Sequence, residues 1–227
     1  MSHNHELSLS WMRVGGVCGI LSIVSYLIAA FVPLPDTLSY AAAFAFGPLL
    51  AVGAIGLYHC LAIKRRSPAA QIATLFAIAA GITVLIMLST QQAIFGVMKL
   101  AIERAGESTS AEVYREVEEG LNAVHQGMDV AWDVLISVAV ILFGIEMVRH
   151  PKFGKVMGGL GIVLGSLLLV FNLWYFPVPP ASAHSIDWGP FVALWMLAAF
   201  VLLLLAVKWA GENVERELAA SYGQSKR

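Results

Sequence analysis

His125, Asp129 and Asp133 recur every four residues in HQGMDVAWDVLISVAVILFGIEMV, a stretch otherwise apolar enough to cross a membrane. Residues four apart stack on one helix face, so an imidazole and two carboxyl groups form a single column. A carboxylate at membrane depth costs about 2.5–3.5 kcal/mol on insertion scales, so such residues face a protein interior and mark function. Two carboxyl groups one turn apart in a low dielectric do not readily hold two negative charges. Either one carries a proton or a cation lies between them. The chemistry open to the column is therefore proton or cation binding, recognition of a polar ligand, or metal ligation.

Other polar residues fall at a similar depth. Gln91 and Gln92 lie near the outer end of the third apolar run, and Asn172 and Trp174 in the outer third of the fifth. His184 and Asp187 belong to the last outer loop, PVPPASAHSIDWGP. With Asp133 about 15 Å below the outer end of its helix, at about 1.5 Å per residue, these residues predict a polar pocket opening outward. Ile136, Val140 and Phe143 would close it below.

Four readings of that pocket follow. In the plainest, Asp129 and Asp133 form an inter-helix clasp, bonding Gln92, Asn172 or backbone. In the second, the pocket takes a small-molecule ligand, or a proton or cation that is transported. In the third, His125, Asp129, Asp133 and His184 hold a metal ion, since these ligand types suit zinc, although no residues that would orient the ligands are legible. Haem is disfavoured. Its two crude axial pairs, His59 with His150 and His125 with His184, use a residue before a proline and a residue in a loop, whereas bis-histidine ligation needs both rings held inside the bundle. No cofactor is expected from a motif: Walker loop, HExxH, GxSxG and an intramembrane retinal-type lysine are all absent. An enzyme is not the first expectation. An intramembrane metalloenzyme acting on a lipid or small amphiphile is the alternative, and a structural or assembly role without ligand the third.

The elements that must position this column follow from composition. The chain has 227 residues, 59% hydrophobic and 13% charged, against about 25% charged in average soluble domains. Net charge −1 offers no basic excess for nucleic acid. The N-terminus, MSHNHELSLSWMR, lacks a basic region ahead of its apolar run, so no cleavable signal peptide is expected.

Six apolar runs are each long enough for a hydrocarbon core of about 30 Å: Trp11–Val32, Leu38–Ile63, Ala69–Leu100, Leu121–Val148, Val156–Phe176 and Trp188–Trp209. The expected fold is an all-α bundle of six transmembrane helices over 11–209, with segments 1–10 and 210–227 in the cytoplasm. Arg13, the Lys64-Arg65-Arg66 turn, the RHPKFGK turn, and Lys208 with the tail that follows it carry eleven of the 14 Lys and Arg residues, leaving Lys99, Arg104 and Arg115 opposite. The positive-inside rule then puts both termini in the cytoplasm of a multi-pass inner-membrane protein. Aromatic belts agree, with Trp11, Tyr58, Phe153 and Trp209 inside and Phe31, Tyr40, Trp174, Tyr175 and Trp188 outside. An outer acidic loop is expected at about 101–120, where Thr109 and Glu112 make a capping box for a short helix. Near the inner face, Glu146 is expected to pair with Arg149 or His150.

Small residues predict packing. Gly154, Gly158, Gly161 and Gly165 stripe the fifth span, Gly15 and Gly19 the first, and Gly53 and Gly56 the second, where Gly47-Pro48 predicts a kink. Cys18 and Cys60 read as buried apolar thiols with no CxxC pair. A faint echo between GLYHCLAIKRRSPAA and GIEMVRHPKFGKVMGG would pair spans two and three with spans four and five in the same orientation.

At DVAWDVL, RHPKFGK, FNLWYFPVPP and DWGPF the chain resembles a family of uncharacterised bacterial six-span membrane proteins, known as a domain of unknown function. The resemblance is best over spans four to six. It implies six helices and an inner-membrane location, and carries over no activity.

Overall fold

In the computed structural model, which describes residues 3–63, 65–106 and 109–224, the chain forms six α-helices and, among the described residues, no strand. Side chains are described over 6–63, 65–106 and 110–213. The helices are α1 (His3–Phe31), α2 (Asp36–Ala62), α3 (Pro68–Ala105), α4 (Thr109–Val148), α5 (Gly154–Tyr175) and α6 (Gly189–Gln224). Each contains a stretch long and apolar enough to span a membrane. The outside of the bundle is greasy: Trp174 is 80% exposed, Val156 78%, Phe31 76% and Leu205 70%. Soluble monomers rarely show contiguous apolar surface of this kind, and lipid is the solvent that tolerates it.

Consecutive helices are neighbours, and α6 closes the ring against α1 while also touching α2. The start of α1, the end of α6, the end of α2 with the start of α3, and the turn at 149–153 therefore gather at one end, called here the basic end. The connections after α1, α3 and α5 lie at the other, the acidic end. Local chemistry sets the boundaries. Ser67 accepts a hydrogen bond from the Ala69 amide at 3.1 Å, with Pro68 opening α3, a pairing suited to a helix start. Asp187 takes the Gly189 amide at 2.8 Å at the head of α6. Gly106, with φ 59°, ends α3.

α3 and α4 run 38 and 40 residues, about 57 and 60 Å at about 1.5 Å per residue. The stretch expected as an outer loop at about 101–120 is consequently built largely from the projecting ends of these helices. The Thr109 side chain of the expected capping box lies outside the described residues, although α4 does start at Thr109. Pro48 sits within a continuous α2.

Glycines set how closely the helices approach. A Cβ on Gly15 would stand 2.5 Å from the Gly56 Cα of the next helix, and one on Gly81 would stand 2.6 Å from the Gly47 carbonyl oxygen. In α5, Gly158 faces the Gly144 carbonyl of α4 and Gly165 faces the Ser137 carbonyl. Gly161 differs: it faces the Trp195 indole of α6 rather than a backbone. Trp195 Nε1 donates to the Met157 carbonyl at 2.9 Å, one turn earlier on α5. The stripe thus serves two neighbours at once. At the basic end, Ser67 Oγ donates to Glu146 Oε1 at 2.6 Å, tying the α2–α3 turn to α4. That hydroxyl, from another turn of the chain, is a partner for Glu146 that reasoning along α4 alone missed. His59 stacks on Trp11 and contacts Ser8, whereas His150 packs against Phe153 and Trp209.

Candidate functional site

The column on α4 faces an internal space. A cavity of about 370 Å³ lies in the half of the bundle toward the acidic end, and all six helices contribute walls. α4 supplies His125, Asp129, Trp132, Asp133 and Ile136, and α3 supplies Gln91 and Gln92 with Val84, Met87 and Leu88. α1 brings Ile23 and Tyr26, α2 Ala43 and Phe46, α5 Leu168, and α6 Gly189, Val192, Ala193 and Met196. A side chamber of about 80 Å³ shares Tyr26, Asp129, Trp132, Asp133 and Gly189 with it, and is roofed by Pro179, Pro180, Ala181, Asp187 and Pro190.

Below, the space ends. Ile136, Val140 and Phe143 meet Trp195, Met196 and Phe200, and only about 10 Å³ remains between them. These bulky residues interdigitate because Gly53 and Gly19 make room for the Phe200 ring and Gly161 for Trp195.

Asp133 is 8% exposed, and its Oδ2 accepts from Asn172 Nδ2 at 2.9 Å. The same amide nitrogen donates to the Leu168 carbonyl at 3.0 Å. A carbonyl only accepts, so this second bond fixes which way the amide faces. Asp133 must therefore present an acceptor to Asn172. Asp129 makes no hydrogen bond or ion pair among the described residues. Buried atoms without a partner among the described residues include His125 Nε2 on the cavity wall and Asn172 Oδ1 behind it. Each such orphan costs about 1–3 kcal/mol if left dry.

The electrostatic character is one-sided. Asp129 and Asp133 line both chambers and Asp187 the smaller one, while neither chamber is lined by Lys or Arg. The same walls carry a run of aromatic rings: Tyr26 to Phe46 at 5.1 Å between centroids, and Phe46 edge-on to Trp132 at 5.5 Å. Ser22, fully buried, donates to the Phe46 carbonyl at 2.9 Å and holds α1 and α2 together behind these rings.

Of the residues expected in the pocket, Asp129, Asp133, His125, Gln91 and Gln92 line the main cavity, Asn172 braces it from behind, and Asp187 lines the side chamber. Trp174 and His184 are not brought there. Trp174 lies two residues, about 200°, around the helix from Asn172, so the face that buries one exposes the other. His184 is exposed on the α5–α6 connection with φ 57°. Without it the metal reading loses a ligand. Among the described residues no group of three or more His, Cys, Asp or Glu side chains is placed to hold an ion. The sequence reasoning missed Tyr26, Phe46 and Trp132. Trp132 sits between the two aspartates in DVAWDVL, and Tyr26 is the one tyrosine inside the first span. Both signals were available.

Compared with protein-family models, curated proteins and solved structures, the chain matches none.

Proposed function

We propose that the chain is a multi-pass inner-membrane protein, with both termini in the cytoplasm, that binds a small molecule in a cavity entered from the outer face. The orientation rests on the Lys and Arg asymmetry, which assigns the basic end to the cytoplasm. The observation that carries the binding reading is the cavity itself: about 370 Å³, inside the roughly 300–1,000 Å³ range of ligand pockets, apolar in the main with a few convergent polar groups. A clasp accounts for Asp133 and Asn172 but not for Asp129, His125, Gln91 and Gln92 arranged around enclosed space. Transport is the finer form of the reading, and it requires the Ile136–Val140–Phe143 floor to open. Among the described residues, the metalloenzyme alternative has no three-ligand group behind it.

The test uses Ala193→Cys, a small change on the cavity wall, in a background lacking Cys18 and Cys60. In sealed right-side-out vesicles, a small membrane-impermeant thiosulfonate should modify this cavity thiol from outside. In inverted vesicles it should not, and Val140→Cys in the floor should stay unreactive from both sides. Modification of the Ala193→Cys protein solely from the cytoplasmic side, or from neither, would defeat the reading. Proton or cation flux in proteoliposomes then separates transport from binding alone.

A further inference from the structure

We propose that the ligand of this cavity is a small organic cation with an apolar body, its positive group set between Asp129 and the aromatic wall. The inference rests on the binding reading above and adds the chemical class. Four observations converge on it. The walls carry two carboxyl groups of the main cavity and a third in the side chamber against one imidazole, His125, and no Lys or Arg, so the balance of charge favours a cation over an anion. Asp133, more than nine-tenths buried, lines the same space and already has one oxygen on Asn172. Asp129 has no protein partner among the described residues, which leaves it as the ion-pairing carboxylate. Tyr26, Phe46 and Trp132 present connected rings to the same space, and a cation stripped of water is attracted to ring faces.

Size and lining separate an organic cation from an inorganic one. The volume corresponds to about a dozen waters at roughly 30 Å³ each, far more than a bare ion fills. A hard cation such as calcium wants about six to eight oxygen ligands, but most of the wall is hydrocarbon from Ile23, Val84, Met87, Ile136, Leu168 and Met196. A molecule with a charged head and an apolar body satisfies both halves of this lining. A neutral apolar molecule would satisfy one half and leave Asp129 unanswered.

The experiment reads protection of the cavity thiol, in Ala193→Cys protein in detergent, from a small neutral thiol reagent. Three probes of similar shape are compared: benzyltrimethylammonium, its neutral carbon isostere neopentylbenzene, and phenylacetate. The cation should protect at concentrations at least tenfold below the isostere, and phenylacetate should not protect. Asp129→Asn should erase the advantage of the cation, and Asp129→Glu should retain it. Should Asp129→Asn fail to fold, the charge preference is read with Asp129 in place. The ratio of cationic to anionic thiosulfonate rates at the cavity thiol should exceed that at the exposed Ser182→Cys at least tenfold. An isostere that protects as well as the cation, or equal rate ratios at the two positions, overturns the cation while leaving a binding pocket. Failure of every probe to protect a reactive cavity thiol overturns the cation and removes support from the binding reading as well.

Discussion

Three glycines within one turn of α5 should respond to the same methyl group in three different ways. At Gly158 a Cβ would lie 2.5 Å from the Val148 amide nitrogen and 2.6 Å from the Gly144 carbonyl oxygen, so it meets the backbone of α4 itself. Relief to an ordinary separation of about 3.5 Å requires α4 and α5 to part by about 1 Å, and a gap of 0.5–1 Å forfeits about a quarter to a half of each contact's attraction. With some thirty atom pairs at roughly 0.15 kcal/mol each, the loss is about 1–2 kcal/mol before any strain. Overpacking as a class costs about 1–3 kcal/mol, so Gly158→Ala is expected to destabilise by about 2–3 kcal/mol. At Gly161 the obstacle is the Trp195 ring at 2.5 Å. A ring can tilt, at the expense of its bond to the Met157 carbonyl, and the expected loss is about 1–2 kcal/mol. Gly159 has nothing within 4 Å, so its alanine should be neutral to within about 0.5 kcal/mol. Unfolding by SDS titration in mixed micelles, followed by tryptophan fluorescence, measures all three. Equal effects at 158, 159 and 161, or the largest at 159, would refute the packing of α5 described above.

Further outcomes can be checked alongside. Asn172→Leu removes the donor to Asp133 and should cost about 1–3 kcal/mol, whereas Asp133→Asn keeps an acceptor facing Asn172 and should be near neutral in the same titration. Ser67→Ala deletes both the start of α3 and the bond to Glu146, for an expected loss of about 1–2 kcal/mol. A loss no larger at Ser67 than at the exposed Ser182 would show that the turn contributes nothing. In the cysteine-free background, Lys155→Cys should be labelled solely from the cytoplasm and Ser182→Cys solely from outside, and labelling of both from one side would sink the orientation.

The helices were readable because each is a long apolar run between breakers, and lipid leaves a chain few alternatives to a helix. Their ends were less readable. α3 and α4 continue past the bilayer through charged residues such as Glu103, Arg104 and Glu116, where hydropathy falls while helical order persists. The column of His125, Asp129 and Asp133 was legible from spacing alone, since one helix determines its own face. What spacing cannot supply is the partner across the gap: Ser67 for Glu146, Trp195 for Gly161, and the rings of Tyr26 and Phe46 that share the cavity wall with Asp129. Those pairings depend on which helix turns which face inward, and residues 34 to 103 positions apart must meet before any of them exists. Trp174 illustrates the converse: neighbourhood in sequence suggested a shared site, and helical rotation separated it from Asn172.

The projecting hairpin of α3 and α4 has a practical consequence. A protein of 24.4 kDa buried in a micelle presents almost no feature by which single-particle images can be aligned. Here two helices leave the hydrocarbon without a break, toward a tip at Gly106 that is exposed with no atom within 4 Å of a would-be Cβ. A rigid soluble helical domain fused in register to both would inherit their direction, because a helix transmits orientation along its axis. The graft would serve as a fiducial fixed relative to Asp129 and Asp133, and would leave the floor, the aromatic wall and the roofing prolines untouched.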